Sequence, residues 1–241
     1  MRLYCNGPIC MNGEFSLPDA AAHHARVVRV QTGDLLELFN GDGYTYTAQI
    51  SRMEKKQIFV CVHLKHEHHR ESPLALHLAV VLSKGDRLDW SLQKATELGI
   101  QQISLLTSSR CEVHLRGEDR LDRKMQHWQQ IVIAACEQSG RSYIPPLTAP
   151  TTLQEFLGYP GLGQRIFLDP TAEKGITQLQ ISPKEVMTLL VGPEGGWSDE
   201  ERHLMTQAGC QAIRLGPRIL RTETAPLAAI AVLQGLYGDL N

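Results

Sequence analysis

The sequence predicts an α/β protein, a largely parallel sheet covered by helices, preceded by a small β-rich unit. Three observations carry this. From residue 74 onward, short apolar runs alternate with amphipathic stretches of helical period, the pattern of units that build parallel sheets. Residues 1–70 instead cluster β-formers around Asn40-Gly41-Asp42-Gly43, a strong hairpin signal. Between the two runs a polar stretch, KHEHHRESP at 65–73, ends in proline and reads as a linker. The expected domains are therefore 1–71 and 72–241.

Along the chain, 19–30 (DAAAHHARVVRV) reads as a short helix capped by Asp19, with Gly33 in the turn that follows. Strands follow at 34–40, 44–51 and 57–62, where β-branched and aromatic residues alternate or cluster. In the second part, 74–82 is an apolar strand and 86–98 an amphipathic helix closed by Gly99. A strand at 103–106 precedes a long helix, 119–139, stopped by Gly140. Short apolar strands are expected at 165–168, 186–191 and 212–215, with helices at 198–208 and 224–237. No internal repeat and no low-complexity tract interrupts them.

Composition narrows the class. Of 241 residues, 42% are hydrophobic and 21% charged, which excludes a disordered or fibrous chain. The formal net charge is −2, so any nucleic-acid partner must be met by local positive charge. Six cysteines, at 5, 10, 61, 111, 136 and 210, form no CxxC pair and suggest reduced thiols. The N-terminal MRLYCNGPICMNGEF lacks the apolar core of a signal peptide, and no stretch approaches the roughly 20 apolar residues of a membrane span. A soluble, cytoplasmic protein is expected. His66, His68 and His69 lack carboxylate or thiolate partners at ligand spacing, and His23-His24 suits packing or an RNA contact, so no metal is expected.

Two loops carry the chemistry. In MTLLVGPEGGWSDEE at 187–201, a buried strand runs through a Gly/Pro turn into a helix, with Ser198 and Glu201 spaced for a capping box. Gly192, Gly195 and Gly196 permit positive φ and close approach of a ligand to backbone, at the carboxyl end of a strand where ligands of α/β sheets settle. A tight turn without a ligand fits the same glycines. A phosphate site is disfavoured: no GxxxxGK[ST] lysine follows, the GxGxxG spacing is absent, and Glu194 repels anions. In IRLGPRILRTETAP at 213–226, Leu215, Ile219 and Leu220 are apolar residues in a turn, where they make sense as covers for a flat ring. Arg214, Arg218 and Arg221 fall within eight residues there, beside Glu223 and Thr224 at a helix mouth suited to anions. Each arginine taken singly is equally readable as a solvated surface charge.

The segments VGPEGGW at 191–197 and LGPRILRTETAPLAAI at 215–230 resemble the two C-terminal signatures of the 16S rRNA uridine-N3 methyltransferase family, within the SPOUT superfamily. KGDR at 84–87, QKATELG at 93–99 and EQSGR at 137–141 match the same family. His24, Val28-Arg29-Val30 and Gly33-Asp34 resemble its PUA-like RNA-binding domain, so the similarity spans nearly the whole chain. Pro226 departs from the pattern, where a small helix former is expected, but proline is tolerated in a first helical turn.

The resemblance implies a C-terminal SPOUT-type parallel sheet tied in a trefoil knot, an N-terminal PUA-like β-barrel, and a homodimer. It implies S-adenosylmethionine as cofactor and methyl transfer to N3 of a uridine, uridine 1498, in the 16S rRNA of the small ribosomal subunit. Carried onto these residues, Leu168 with Asp169, then Gly192, Pro193, Glu194, Gly195 and Gly196, then Leu215, Gly216, Ile219, Leu220 and Thr224 would hold the cofactor. Arg221, Glu223 and Glu137 are the candidates for removing the N3 proton and stabilising the uridine anion. For RNA contact the candidates are Arg26 and Arg29 in the small domain, with Lys94, Arg141 and Arg218 in the larger. Arg141 is also readable as a charge complementing a helix C-terminus, and Lys94 as a helix-surface partner of Glu97. Two other functions compete: a SPOUT enzyme acting on tRNA or a ribose oxygen, and an RNA-binding protein without catalysis.

Overall fold

Burial with a two-residue period builds the N-terminal unit. Tyr46, Ala48 and Ile50 of β4 (Tyr44–Met53) and Ile58, Val60 and Val62 of β5 (Ile58–Glu67) are buried, while residues between them are not. They share a core with Leu3 of β1 (Arg2–Tyr4), Leu36 and Leu38 of β3 (Leu35–Phe39), and Ala21, Ala22 and Ala25 of α1 (Asp19–Val27). Three alanines on one face let the helix lie close to the sheet. With β2 (Glu14–Ser16) the strand order is β1-β3-β4-β5-β2; β1 and β3 are parallel and the other pairs antiparallel. The result is a curled mixed sheet, a half-barrel.

The structure is a computed structural model describing residues 1–11, 13–67, 70–113, 117–181 and 185–240. The chain divides into Met1–Glu71 with Ile133–Ile144, and Ser72–Val132 with Pro145–Asn241. The first unit thus takes in the end of α3 (Glu118–Ser139) and the segment after it, which no linear boundary includes. There Arg2 Nη2 donates to the Arg141 carbonyl at 2.9 Å and to Ser142 Oγ at 2.7 Å.

In the second unit, six parallel strands run in the order β11-β9-β10-β6-β7-β8. They are β6 (Leu76–Val81), β7 (Gln102–Thr107), β8 (Leu147–Thr152), β9 (Gln164–Leu168), β10 (Met187–Val191) and β11 (Gln211–Ile213). Every residue of β6 and β10 is buried, as a sheet covered on both faces requires. The other helices are α2 (Arg87–Glu97), α4 (Leu153–Leu157), α5 (Asp199–Gln207) and α6 (Thr224–Tyr237), with a 3-10 turn at Ile176–Gln178. The buried His77 and Ser104 satisfy each other: His77 Nε2 lies 2.9 Å from Ser104 Oγ, which accepts from Thr148 Oγ1 at 3.0 Å. Gln234 of α6 accepts from Ser72 Oγ at 2.6 Å and donates to the Leu98 carbonyl at 2.9 Å, tying the last helix to the start of the unit.

Several sequence expectations are corrected. Helix α1 stops at Val27, not residue 30, because Arg29 adopts a left-handed φ of 61°. The amides of Arg29 and Val30 then bond back to the carbonyls of Arg26 and Ala25 at 2.9 and 3.3 Å, a Schellman closure. The N-cap is Pro18, with Asp19 in the first turn. The expected linker begins too early: β5 continues through Glu67, with Lys65 and His66 paired to Tyr46 and Thr45. His68 and His69 lie outside the described residues. Strand β8, LTAPTT, passed unnoticed because of Pro150, which an edge strand accepts. Strands β1 and β2 and the short α4 were also unforeseen. By contrast α6 spans the expected residues, with Pro226 buried in its first turn. All six cysteines are free.

Candidate functional site

Three neighbouring strands, β10, β9 and β11, end side by side, and their last residues, Val191, Leu168 and Ile213, open on one cavity. It spans about 760 Å³ when the open space at its mouth is included. The loop after β10 and the loop after β11 form its walls. Of the residues expected to hold a cofactor, Leu168, Gly192, Pro193, Glu194, Gly196, Leu215, Gly216, Ile219 and Leu220 line it. Gly195 and Thr224 do not: Gly195 borders a neighbouring cleft, and Thr224 is the exposed first residue of α6. Asp169, expected beside Leu168, lines it too, and Thr222, Ala225, Trp197, Arg202 and Arg218 join the lining.

The first loop is held rigidly. Ser198 caps α5, its Oγ accepting from the Glu201 amide at 3.2 Å while Glu201 Oε2 accepts from the Ser198 amide at 2.9 Å. Glu201 Oε1 also accepts from the Ser109 amide at 2.8 Å, which satisfies an otherwise buried carboxylate. Arg110 Nη1 donates to the Gly195 carbonyl at 2.8 Å, pinning the turn from outside. Sequence reasoning missed Arg110, since nothing local distinguishes it. Trp197 is buried under Gly192, and its indole Nε1 finds no hydrogen-bond partner among the described residues.

At the cavity floor Arg202 Nε donates to Asp169 Oδ2 at 2.7 Å, and Asp169 Oδ1 accepts from the Thr171 amide and hydroxyl at 2.8 and 2.7 Å. Burial pushes the Asp169 pKa up, but the Thr171 hydrogen bonds and the Arg202 guanidinium outweigh it and hold it below its ordinary value. A fixed Asp169–Arg202 ion pair therefore stands in a cavity whose lining mixes apolar and charged side chains. Glu194 adds a second carboxylate; Arg87 Nη1 donates to its Oε1 at 2.9 Å, and Arg87 Nε stands 3.9 Å from Glu223 Oε2. That Glu223 oxygen is buried and accepts no hydrogen bond among the described residues. Arg221 is exposed, its carbonyl accepting the Thr224 and Ala225 amides at 2.9 Å. Charged groups of both signs and apolar walls suit a ligand that carries both charges and a flat ring.

The remaining candidates separate. Glu137 belongs to the N-terminal unit, where it accepts from the Tyr4 amide at 2.8 Å and stands 3.5 Å from His24 Nδ1. Arg141 is corrected as an RNA contact: it is buried, and its guanidinium grips both oxygens of Glu71. Lys94 is held by both Glu97 oxygens at 2.8 and 3.0 Å, the surface pair rather than a free cation. Arg26 Nη2 donates to the Glu54 carbonyl at 3.1 Å, whereas Arg29 and Arg218 are exposed. No group of three or more His, Cys, Asp or Glu among the described residues is arranged to hold a metal, and no helix there could cross a membrane.

Residues 70–234 match the RNA methyltransferase domain model, and 17–60 match the RNA methyltransferase PUA domain. A Buchnera aphidicola protein named Ribosomal RNA small subunit methyltransferase E is 35% identical over 100% of this chain and 98% of its own length. A methyltransferase of Legionella pneumophila, solved in complex with the bound cofactor SAM, shares 40% identity at a TM-score of 0.95, over 99% of this chain and 98% of that one. The Neisseria gonorrhoeae Ribosomal RNA small subunit methyltransferase E bound to S-adenosyl methionine gives 37% and 0.93, over 100% and 99%.

Proposed function

This chain belongs to the RNA methyltransferase family, and on that premise we propose that it methylates small-subunit ribosomal RNA from S-adenosylmethionine, at N3 of one uridine. The observation that carries the reading is the cavity itself, formed where three parallel strands end, with a glycine cradle and an unpartnered indole N–H in its wall. These features fit a nucleoside with a charged tail, and the similar Legionella and Neisseria proteins were solved with that cofactor.

Val191, Pro193, Leu215, Ile219 and Leu220 supply apolar walls for the adenine, and the glycine-rich turns expose backbone groups to its polar edge. Asp169, kept ionised by Thr171 and paired with Arg202, gives this wall fixed charges of both signs for a charged ligand. The cofactor, when bound, supplies a methyl already made electrophilic by its positive sulfur, so alignment is the main demand on the protein. The protein must also take the N3 proton and stabilise the uracil charge. Glu223 is our candidate for the proton, since its buried oxygen accepts no hydrogen bond among the described residues, and Arg221 for the charge. Glu137, already engaged by Tyr4 and His24, is left out.

We extend the proposal to the assembly and its partner. Arg29, Arg26 and Arg218 are the cations offered to rRNA. Exposed apolar side chains of the second unit, among them Ile219, Leu236 and Leu240, support a homodimer, and a cytoplasmic location follows from the substrate. The trefoil knot also belongs to the proposal. It is supported by β10 entering between β6 and β9 while α6 packs against both α2 and the 3-10 turn, with Tyr237 Oη donating to the Leu179 carbonyl at 2.8 Å.

Calorimetric titration with S-adenosylmethionine tests the enzyme reading; binding is expected, and a flat trace overturns it. Mapping of modified nucleotides in 16S rRNA from cells lacking the gene tests the substrate. Loss of one N3-methyluridine is expected, and an unchanged rRNA overturns it.

A further inference from the structure

Beside the cofactor cavity lies an open cleft bounded by Lys84, Gly85, Asp86, Arg87, Trp90 and Glu223. We propose that this cleft seats a base of the substrate RNA, with Trp90 as its stacking platform. The inference rests on the rRNA methyltransferase reading and names a residue that reading does not use.

Trp90 is 52% exposed, whereas Trp128 and Trp197 are 4% and 2% exposed. The fold does not need it: α2 buries Leu88, Ser91, Leu92, Ala95 and Thr96, a face at helical spacing that omits position 90. A half-exposed indole at the edge of a cleft presents a flat π-face on which a ring can stack. Lys94 Nζ, clamped by Glu97, sits 5.3 Å over the indole and fixes one side of its surroundings.

Charge decides what the cleft takes. Its cations are matched, Lys84 by Glu112 and Arg87 by Glu194 and Glu223, so it is a poor seat for phosphate. What it offers is an aromatic face, with the Glu223 carboxylate at its border beside Arg87. Every nucleobase has a π-face to stack, and the imide edge of uracil carries an N–H donor that suits a carboxylate. Arg87 also ties this cleft to Glu194 of the cofactor loop at 2.9 Å, so a base seated here is next to the methyl donor's cavity.

Trp90 being the exposed tryptophan, its emission is the one acrylamide quenches and can be followed in the full-length protein. With S-adenosylmethionine present, uridine 5′-monophosphate or a short oligouridylate should protect it from acrylamide, and Trp90→Phe should abolish that signal. Trp90→Ala should raise the KM for 16S rRNA about fivefold or more while leaving the cofactor Kd unchanged, and Trp90→Phe should restore most of the loss. An unchanged KM in Trp90→Ala overturns the proposal. So does protection that grows with protein concentration without RNA, which would mean that a second copy of the chain covers the ring. If the wild type fails to methylate rRNA at all, the functional reading fails, and the nucleotide titration still reports on the cleft.

Discussion

A β-carbon on Gly192 would stand 2.9 Å from the Trp197 ring, so the wall of the cavity closes only with glycine at that position. The ring is buried and cannot swing away. Gly192→Ala should therefore cost about 1–3 kcal/mol of stability by overpacking and weaken S-adenosylmethionine binding at least tenfold. Gly196 makes a useful contrast: its φ is +67°, but nothing lies within 4 Å of a β-carbon there. Gly196→Ala should carry only backbone strain, about 1 kcal/mol. Thermal melting and calorimetry on both variants decide the point; equal losses would show that strain, not the indole, governs the loop.

His77 predicts a pH dependence. Burial in the parallel sheet lowers its pKa from 6.5 to about 4. The unfolded chain therefore takes up this proton first on acidification. Stability from His77 is complete above pH 6.5 and is lost as the pH falls toward 4, by at most about 3 kcal/mol. Melting temperatures between pH 7.5 and 4.5 should fall less steeply in His77→Leu than in the wild type. Parallel curves would remove His77 as a cause.

Arg29 holds a left-handed conformation at the end of α1, where helices usually place glycine. That backbone costs a residue with a β-carbon about 1 kcal/mol. Arg29→Gly should raise Tm by about 2–4 °C yet weaken rRNA binding and reduce its salt slope by about one. A variant both more stable and unimpaired in binding would leave the arginine without a role toward RNA.

Glu223 and Arg221 should separate kinetically. Glu223→Gln keeps the shape but removes the proton acceptor, so kcat should fall by about a hundredfold or more with the cofactor Kd unchanged. Arg221→Ala, at an exposed site, should leave melting unaltered while largely abolishing methylation. Near-normal turnover in either removes that residue from the catalytic list.

Much of the architecture was legible because periodicity is local. The mostly apolar β10, the Ser198–Glu201 capping box and the bounds of α6 follow from neighbouring residues alone. So does the pairing of Lys94 with Glu97, one turn apart. Strand β8 was hidden by Pro150, whose tolerance depends on lying at a sheet edge, a property of the assembled sheet. The extension of β5 through Lys65 and His66 was hidden because their polar side chains mask a backbone pairing with β4.

By itself, then, the sequence determined the alternation of strands and helices, and the two glycine-bearing loops that wall the cavity. It could not say which charges remain available. Arg141 stands 70 residues from Glu71 and Glu137 stands 133 from Tyr4, and only folding brought Arg141 onto Glu71 and Glu137 onto the Tyr4 amide. Arg202 reached Asp169 and Arg87 reached Glu194 in the same way, across separations of 33 and 107 residues. A charge's role depends on its nearest partner, electrostatic energy falls with distance in space, and distance in space is what the tertiary structure supplies.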